Sequence, residues 1–241
     1  MEMIEILGVI PAAGRATRLG GVIKALTRVA GKYLIEYPLE NMMLTGVGTV
    51  IIIQYESEIS DILGDKWRGM KLKYVEQRER KGIAHAISLV EEVAEKQDMI
   101  IIFADIIYQG VDIVNYTRYF NNQAQGLHCI YGVKRIVNKD EIKKSYGLIS
   151  NGYGKPVSIV EKPQDTTKLL PFLGLGLYVA SSHIFKYIDK TPVSTLRGEV
   201  EWTDTLNLMA LDMRTAGFTL NGYYLNVNTS EELNEAKKVI V

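Results

Sequence analysis

The chain has 241 residues, a length that fits one α/β domain, and its content of 47% hydrophobic and 23% charged residues is that of an ordinary globular protein. Twenty-eight basic residues balance twenty-eight acidic ones, which excludes a global electrostatic attraction to nucleic acid or to an anionic membrane. The single cysteine, Cys129, excludes an intrachain disulfide and a cysteine-rich metal site.

The beginning of the chain carries two glutamates and no basic segment, so it does not read as a secretory signal peptide. No stretch approaches the roughly 20 apolar residues that a membrane-spanning helix needs. We therefore expect a cytoplasmic protein with no membrane and no nucleic-acid partner. The subunit count is open, and a homo-oligomer is compatible with the sequence.

Short runs rich in Ile, Val and aromatic residues recur along the chain and predict β-strands. They span residues 4–10, 47–53, 72–76, 99–104, 127–133, 157–161, 173–179 and 219–225. Because these runs are continuously apolar, we expect strands that are covered on both faces, as in a mostly parallel sheet.

Helical patterns lie between the strands. Residues 82–95 and 203–216 each place apolar side chains on one stripe, with Gly217 expected as a helix cap. Thr229 followed by Glu232 predicts a capping box at the start of the last helix. The alternation indicates an α/β fold with a doubly wound, mostly parallel sheet, over residues 1–241 as a single domain. Residues 131–163 break the rhythm and predict a small antiparallel extension.

The first strand runs into the segment IPAAGRATRL, residues 10–19. The small residues Ala12, Ala13 and Gly14 would let a phosphate approach backbone amides, and Arg18 and Lys24 would add positive charge. The alternative is an ordinary strand-to-helix turn with surface arginines. The segment is neither a Walker A loop nor a dinucleotide fingerprint, because the required lysine and glycine spacings are missing.

This segment, Lys24-Ala25-Leu26 and residues 31–41 (GKYLIEYPLEN) together resemble the sugar-phosphate nucleotidylyltransferases, a family that includes the glucose-1-phosphate thymidylyltransferases. Further motifs in the same order extend the resemblance over almost the whole chain. It implies a Rossmann-like nucleotidyltransferase fold and a reaction that releases pyrophosphate. It also implies that Arg18 contacts the nucleotide phosphates and that Lys24 stabilises charge on the transferred phosphate.

Residues 72–77 (LKYVEQ), followed by Gly82, resemble the base-recognition segment of the same family. The resemblance implies that Gln77 and Gly82 meet the edge and face of the nucleotide base. Without the resemblance, Gln77 reads as a solvent-exposed loop amide. We expect His85 to lie near the pocket without acting as a general base.

Asp105 ends the apolar run 99–105, where a carboxylate at the carboxyl end of a buried strand can hold Mg²⁺ on a triphosphate. The alternative for Asp105 is a turn cap. The resemblance supports the metal role and places Asn226 where relatives generally carry a second metal-binding aspartate. An amide oxygen can bind Mg²⁺ without contributing charge, so either metal binding rests mainly on Asp105 or catalysis has been lost.

The segment SIVEKP, residues 158–163, resembles the family's acceptor motif. It implies that Lys162 binds the phosphate of the sugar phosphate and Glu161 a sugar hydroxyl, with Tyr146, Gly147 and Gly176 lining the same pocket. Residues 198–204 resemble a late acidic segment, which is either a ligand contact or a capped helix start.

The expected function is therefore transfer of a nucleoside monophosphate from a nucleoside triphosphate to a sugar 1-phosphate, with Mg²⁺ as cofactor. We favour dTTP or UTP with glucose 1-phosphate. One alternative is a cytidylyltransferase acting on an alditol or inositol phosphate, because the connection 19–24 is short. Another is a catalytically silent, nucleotide-binding regulatory homologue, which the presence of Asn226 supports. A third is an NAD-dependent oxidoreductase, but the missing glycine fingerprint argues against it.

Overall fold

The structure is a computed structural model that describes residues 6–16, 22–123, 126–150, 156–195 and 197–240. One eight-stranded sheet runs through this part of the chain, and helices cover both of its faces. None of the helices within these ranges is long and apolar enough to cross a membrane.

The described residues form sixteen strands, numbered here in chain order. They are β1 (Leu7–Pro11), β2 (Arg15–Ala16), β3 (Val22–Ile23), β4 (Arg28–Val29), β5 (Lys32–Tyr33), β6 (Thr49–Gln54), β7 (Lys66–Trp67), β8 (Met70–Glu76), β9 (Met99–Ile102), β10 (Ile106–Gln109), β11 (Cys129–Arg135), β12 (Tyr146–Ser150), β13 (Pro156–Glu161), β14 (Phe172–Ala180), β15 (Thr215–Thr219) and β16 (Tyr223–Asn226).

The same ranges contain eight α-helices and two short 3₁₀ helices, the latter at Lys24–Leu26 and Lys139–Lys144. The α-helices are α1 (Glu36–Leu44), α2 (Glu58–Leu63), α3 (Ile83–Ser88), α4 (Glu91–Ala94), α5 (Ile113–Gln123), α6 (Ile184–Ile188), α7 (Trp202–Leu211) and α8 (Ser230–Val239).

The main sheet has the strand order β15-β11-β14-β9-β1-β6-β8-β7. Its central strands β9, β1, β6 and β8 are parallel, with Val9 opposite both Ile51 and Ile101. Strand β14 lies antiparallel to β9 and β11, and β15 is again parallel to β11. The predicted α/β sheet is confirmed, and the carboxyl ends of its central strands share one edge, where folds of this kind bind ligands.

Successive residues of the central strands point to opposite faces, which gives the sheet an apolar layer on each side. Val9 packs in a cluster with Ile87 of α3 and Leu206 of α7, whereas Ile10 packs in another with Leu39 of α1. All five are fully buried. Each such side chain contributes about 1.5–3 kcal/mol by leaving water, so a continuously apolar strand is what a doubly covered sheet requires.

The prediction of one strand over 219–225 is wrong, because the structure has β15 and β16 on either side of a turn. Gly222 takes φ +120° in that turn, and a Cβ at this position would lie 2.7 Å from the carbonyl oxygen of Gln109. The chain can therefore reverse only with glycine there. Strand β15 joins the main sheet, whereas β16 pairs with β10 in a separate two-stranded sheet.

Two of the predicted helices are also shorter than expected. The helix predicted at 203–216 ends at Leu211, Met213 is left-handed at φ 54°, and Gly217 lies inside β15 and not at a helix cap. The helix predicted at 82–95 is divided into α3 and α4, because the amides of Leu89 and Val90 bond only three residues back, to Ala86 and Ile87. The capping box at Thr229 is confirmed.

The predicted antiparallel extension is the hairpin of β12 and β13, with Leu148 opposite Ile159. It begins later than residue 131, because β11 belongs to the main sheet. The side chain of Asn207 on α7 anchors the hairpin, accepting from the amide of Ile159 at 2.6 Å and donating to its carbonyl at 2.7 Å. Tyr146 at the start of β12 and Glu161 at the end of β13 line one cavity with Asp105, so the hairpin lies beside the carboxyl edge of the sheet.

Candidate functional site

Two adjoining cavities open at the carboxyl edge of the central strands. The loop cavity, of about 260 Å³, is lined by residues from the segments 11–14, 24–25, 77–86 and 103–105 together with Glu199. The hairpin cavity, of about 870 Å³, is lined by residues from 143–146, 161–162, 197–203 and 224–235, among others. Ile83, Phe103, Asp105 and Glu199 line both, so the cavities form one cleft with Asp105 at their junction.

The loop after β1 forms one wall of the loop cavity. Ala12 and Ala13 are buried, the amide of Ala12 donates to the carbonyl of Ile53 at 2.8 Å, and Gly14 is exposed with open space where a Cβ would be. Small residues at this point leave room for a ligand to approach the backbone. Arg18, which the sequence analysis assigns to the same loop, lies outside the described residues.

Lys24 joins two distant segments at the junction of the cavities. Its ammonium donates to Asp105 Oδ2 and, at 2.6 Å, to Asn228 Oδ1. The side chains of Lys24 and Asp105 are only 15% and 24% exposed, so solvent screens the pair incompletely. The structure thus brings Lys24 and Asp105 together, as expected, and adds Asn228, which the sequence analysis missed.

The capping box of α8 fixes the position of Asn228. The carboxylate of Glu232 accepts from the amides of both Asn228 and Thr229, and the amide of Val227 donates to the carbonyl of Asp105 at 2.9 Å. A signal for Asn228 was present in the sequence. Two residues apart in an extended segment, Asn226 and Asn228 fall on the same side of the chain, so either could have faced Asp105.

Asn226 lies in β16 opposite Ile106 and lines the hairpin cavity. Its Oδ1 is buried and has no hydrogen-bond partner within the described ranges. A buried amide oxygen of this kind is a free ligand position, because leaving it unpaired costs about 1–3 kcal/mol. Asp105, Asn226 and Asn228 together offer the oxygen donors that a hard cation such as Mg²⁺ prefers, and they fit such an ion.

On the far wall of the loop cavity, Gln77 is buried and its amide nitrogen is bonded twice. Nε2 lies 3.0 Å from the carbonyl oxygen of Gly82 and 3.0 Å from Nδ1 of His85. Burial, and then the charge of Lys81, lowers the pKa of His85, while Glu79 acts in the opposite direction. The polar edge of this wall is therefore set by the neutral amide of Gln77, which is bonded to a histidine whose cationic form is disfavoured.

The hairpin cavity gathers both charged residues of the acceptor motif. Lys162 Nζ lies 3.6 Å from Glu161, and Arg197 Nη1 lies 3.2 Å from Glu201. Burial raises the pKa of Glu161, an effect that Lys162 and Arg197 partly offset. Two cations at the rim of one cavity suit a phosphate, and Arg197 is a second residue that the sequence analysis did not single out.

The backbone holds Lys162 in place. Its amide donates to the carbonyl of Ser145 at 2.6 Å, and its φ of 42° lies in the left-handed region, which costs a non-glycine residue about 1–2 kcal/mol. The backbone that carries the Lys162 side chain is therefore fixed between the hairpin and the sheet.

The remaining predicted acceptor residues differ in position. Tyr146 and Gly176 line the hairpin cavity, and a Cβ on Gly176 would lie 2.3 Å from Ile106 Cδ1. The structure does not bring Gly147 to the cavity wall, because the space beside it is filled by Ile142 and Leu169, each 2.7 Å from where its Cβ would be.

Comparison with known proteins links this geometry to a family. Residues 7–240 match the family model described as "Nucleotidyl transferase". The chain is 26% identical over 238 residues to the UTP–glucose-1-phosphate uridylyltransferase AglF of Haloferax volcanii, covering 95% of this chain and 94% of that protein. It is 30% identical over 254 residues to a glucose-1-phosphate thymidylyltransferase of Xanthomonas campestris pv. campestris, covering 99% and 81%. A UDP-glucose pyrophosphorylase, solved in complex with UDP-glucose, shares the fold at a TM-score of 0.87 and 21% identity, with 98% of both chains covered.

Proposed function

The chain belongs to the nucleotidyl transferase family, and from that premise we propose that it joins a nucleoside triphosphate to a sugar 1-phosphate, giving a nucleoside diphosphate sugar and pyrophosphate. The observation that carries the proposal is the meeting of Lys24, Asp105 and Asn228 where the two cavities join. A reaction between two bound molecules needs a charged centre that both can reach, and Asp105 borders both cavities.

In this proposal the nucleoside triphosphate occupies the loop cavity and the sugar phosphate occupies the hairpin cavity. A phosphate oxygen of the sugar phosphate attacks the α-phosphorus of the nucleotide. The bond from that phosphorus to the oxygen bridging to the β-phosphate breaks, and pyrophosphate leaves. Both reactants are anions, so catalysis consists mainly of alignment and of neutralising charge.

Four side chains share the binding of phosphate. Lys24 stabilises the phosphate that is transferred, while Lys162 and Arg197 hold the phosphate of the acceptor. Arg18 contacts the nucleotide phosphates, an assignment that rests on the resemblance of the loop and on the chemistry of the guanidinium group. Glu161, whose pKa is raised by burial, accepts a hydrogen bond from a sugar hydroxyl.

We assign the metal ion as Mg²⁺, held by Asp105 with the amide oxygens of Asn226 and Asn228 completing the protein ligands. Bound there, Mg²⁺ would withdraw charge from the triphosphate oxygens. The single carboxylate gives the protein fewer negative ligands than a pair of aspartates would. Mg²⁺ is therefore expected to enter together with the nucleotide, whose phosphates supply the missing charge.

Pyrophosphate release over a panel of triphosphates and acceptors tests the proposal. UTP and dTTP with glucose 1-phosphate are expected to give turnover, because the two relatives named above are a UTP–glucose-1-phosphate uridylyltransferase and a glucose-1-phosphate thymidylyltransferase. CTP with inositol or alditol phosphates tests the cytidylyltransferase alternative. An Asp105→Ala variant is expected to lose the signal. If no triphosphate of the panel reacts with any acceptor, whereas nucleotide still binds, the transferase assignment is wrong and a regulatory binding protein takes its place.

A further inference from the structure

The wall of the loop cavity contains an amide whose orientation is fixed from two sides. A backbone carbonyl can only accept a hydrogen bond, so the atom of Gln77 that faces the carbonyl of Gly82 must be the nitrogen. The second hydrogen of the same nitrogen then points to His85 Nδ1, 3.0 Å away. This bond requires Nδ1 to accept, so the imidazole is neutral and carries its proton on Nε2.

The frame around this pair is rigid. Gly82 takes φ +100°, and a Cβ there would lie 2.5 Å from the carbonyl oxygen of Val200. The amide of Val200 donates to the carbonyl of Lys81 at 2.7 Å, and that of Gln77 donates to the carbonyl of Gln54 at 2.7 Å. The position of the Gly82 carbonyl is therefore not adjustable, and neither is the start of the Gln77 side chain.

Both amide hydrogens of Gln77 are thus used inside the protein, and Oε1 is the remaining polar atom. Within the described ranges no hydrogen bond is formed to it. We propose that His85 is a positioning residue, which locks Gln77 as a hydrogen-bond acceptor and so selects a nucleotide base that presents an N–H or NH₂ donor at that point. This inference rests on the proposed function, because it takes the loop cavity as the nucleotide site.

The fixed orientation of the Gln77 amide determines which chemical class of base can bind. Uracil and thymine offer N3–H as the donor, and cytosine offers its 4-amino group. If His85 could not accept, Gln77 would keep an unpaired hydrogen in a buried place, and only the carbonyl of Gly82 would oppose a rotation that presents its nitrogen to the base. The discrimination between a base with the donor and an analogue without it therefore measures the role of His85.

The experiment measures nucleotide binding by calorimetry for wild type, His85→Asn and His85→Leu, using UTP and N3-methyl-UTP. If CTP binds more tightly than UTP, CTP and N4,N4-dimethyl-CTP replace them. Asparagine can place its amide oxygen near the position of Nδ1, whereas leucine cannot accept. Ser88→Ala is the matched control, because Ser88 bonds the carbonyl of His85 from the same helix.

Wild type, Ser88→Ala and His85→Asn are expected to bind the parent nucleotide about tenfold to a hundredfold more tightly than the methylated analogue. His85→Leu is expected to bind the parent about tenfold less tightly and to lose most of this discrimination. The inference is overturned if His85→Leu discriminates like wild type, if His85→Asn behaves like His85→Leu, or if wild type does not discriminate. Binding without turnover would instead refute the proposed function alone, and absence of all nucleotide binding would refute both.

Discussion

Replacing Lys24 by methionine tests the centre of the proposed site. The substitution keeps most of the side-chain length and removes the charge that contacts Asp105 and Asn228. Asp105 then loses its cationic partner, and the transferred phosphate loses the cation assigned to it. The substitution should therefore affect both folding stability and rate, but by very different amounts.

The stability effect can be bounded from the exposure of the pair. Two unit charges about 4 Å apart attract by roughly 4 kcal/mol at an effective dielectric constant of about 20. Breaking a fully buried pair costs about 3–5 kcal/mol, but Asp105 is 24% exposed and can recover part of its hydration. We expect a loss of about 1–2 kcal/mol, which in a chain of this size lowers the Tm by roughly 2–8 °C.

The rate effect should be larger. Removing one preorganised charge from a transition state costs about 10²–10³ in kcat. The assay is initial pyrophosphate release at saturating substrates, with thermal unfolding followed by circular dichroism on the same samples. Lys32→Met is the matched control, because Lys32 also pairs with a single carboxylate, that of Glu40 at 2.7 Å, but lines neither cavity.

The control is expected to lose a comparable stability or less while keeping its kcat. If folded Lys24→Met retains more than about a tenth of the wild-type kcat, Lys24 does not stabilise the transferred phosphate. If Lys32→Met loses as much activity as Lys24→Met, the loss reflects global destabilisation and not the removal of a charge from the cleft.

Further predictions concern other parts of the site and the core. Asn228→Ala should weaken Mn²⁺ binding in the presence of nucleotide by about tenfold, measured by electron paramagnetic resonance; an unchanged affinity would remove Asn228 from the metal ligands. Gly176→Ala should lower the free energy of unfolding by about 1–3 kcal/mol, because its Cβ would overlap Ile106; a urea unfolding curve identical to wild type would contradict this. Burial raises the pKa of Cys129, so it should resist thiol reagents at neutral pH until the chain unfolds; rapid labelling of native protein would show otherwise. The pKa of His85 is lowered by burial and Lys81, with Glu79 opposing, so nucleotide affinity should be constant above about pH 6.5 and fall as the pH drops through that lowered pKa. This fall in affinity should vanish in His85→Asn, and calorimetric titration with nucleotide over this pH range is the measurement.

Much of the fold was determined by local sequence. The apolar runs that form β1, β6 and β9 are long enough, and apolar enough on both faces, to have no stable place other than a covered sheet. The capping box at Thr229 and Glu232 is equally local, since its two hydrogen bonds join residues three apart. Asp105 could be placed beside the cleft from the strand that precedes it, because carboxyl ends of parallel strands share an edge.

Other features needed the tertiary structure. The reversal at Gly222 depends on how closely the chain passes Gln109, and the choice of Asn228 over Asn226 as the partner of Lys24 depends on how β16 pairs with β10. The hydrogen bond between Gln77 and His85 joins a strand end to a helix, and secondary-structure propensities do not predict their relative orientation. Local patterns in the sequence indicate which residues become buried, because the free energy of leaving water is a property of each residue. Which side chains then meet is decided by the register and packing of segments that are distant in the chain, and only the assembled sheet specifies these.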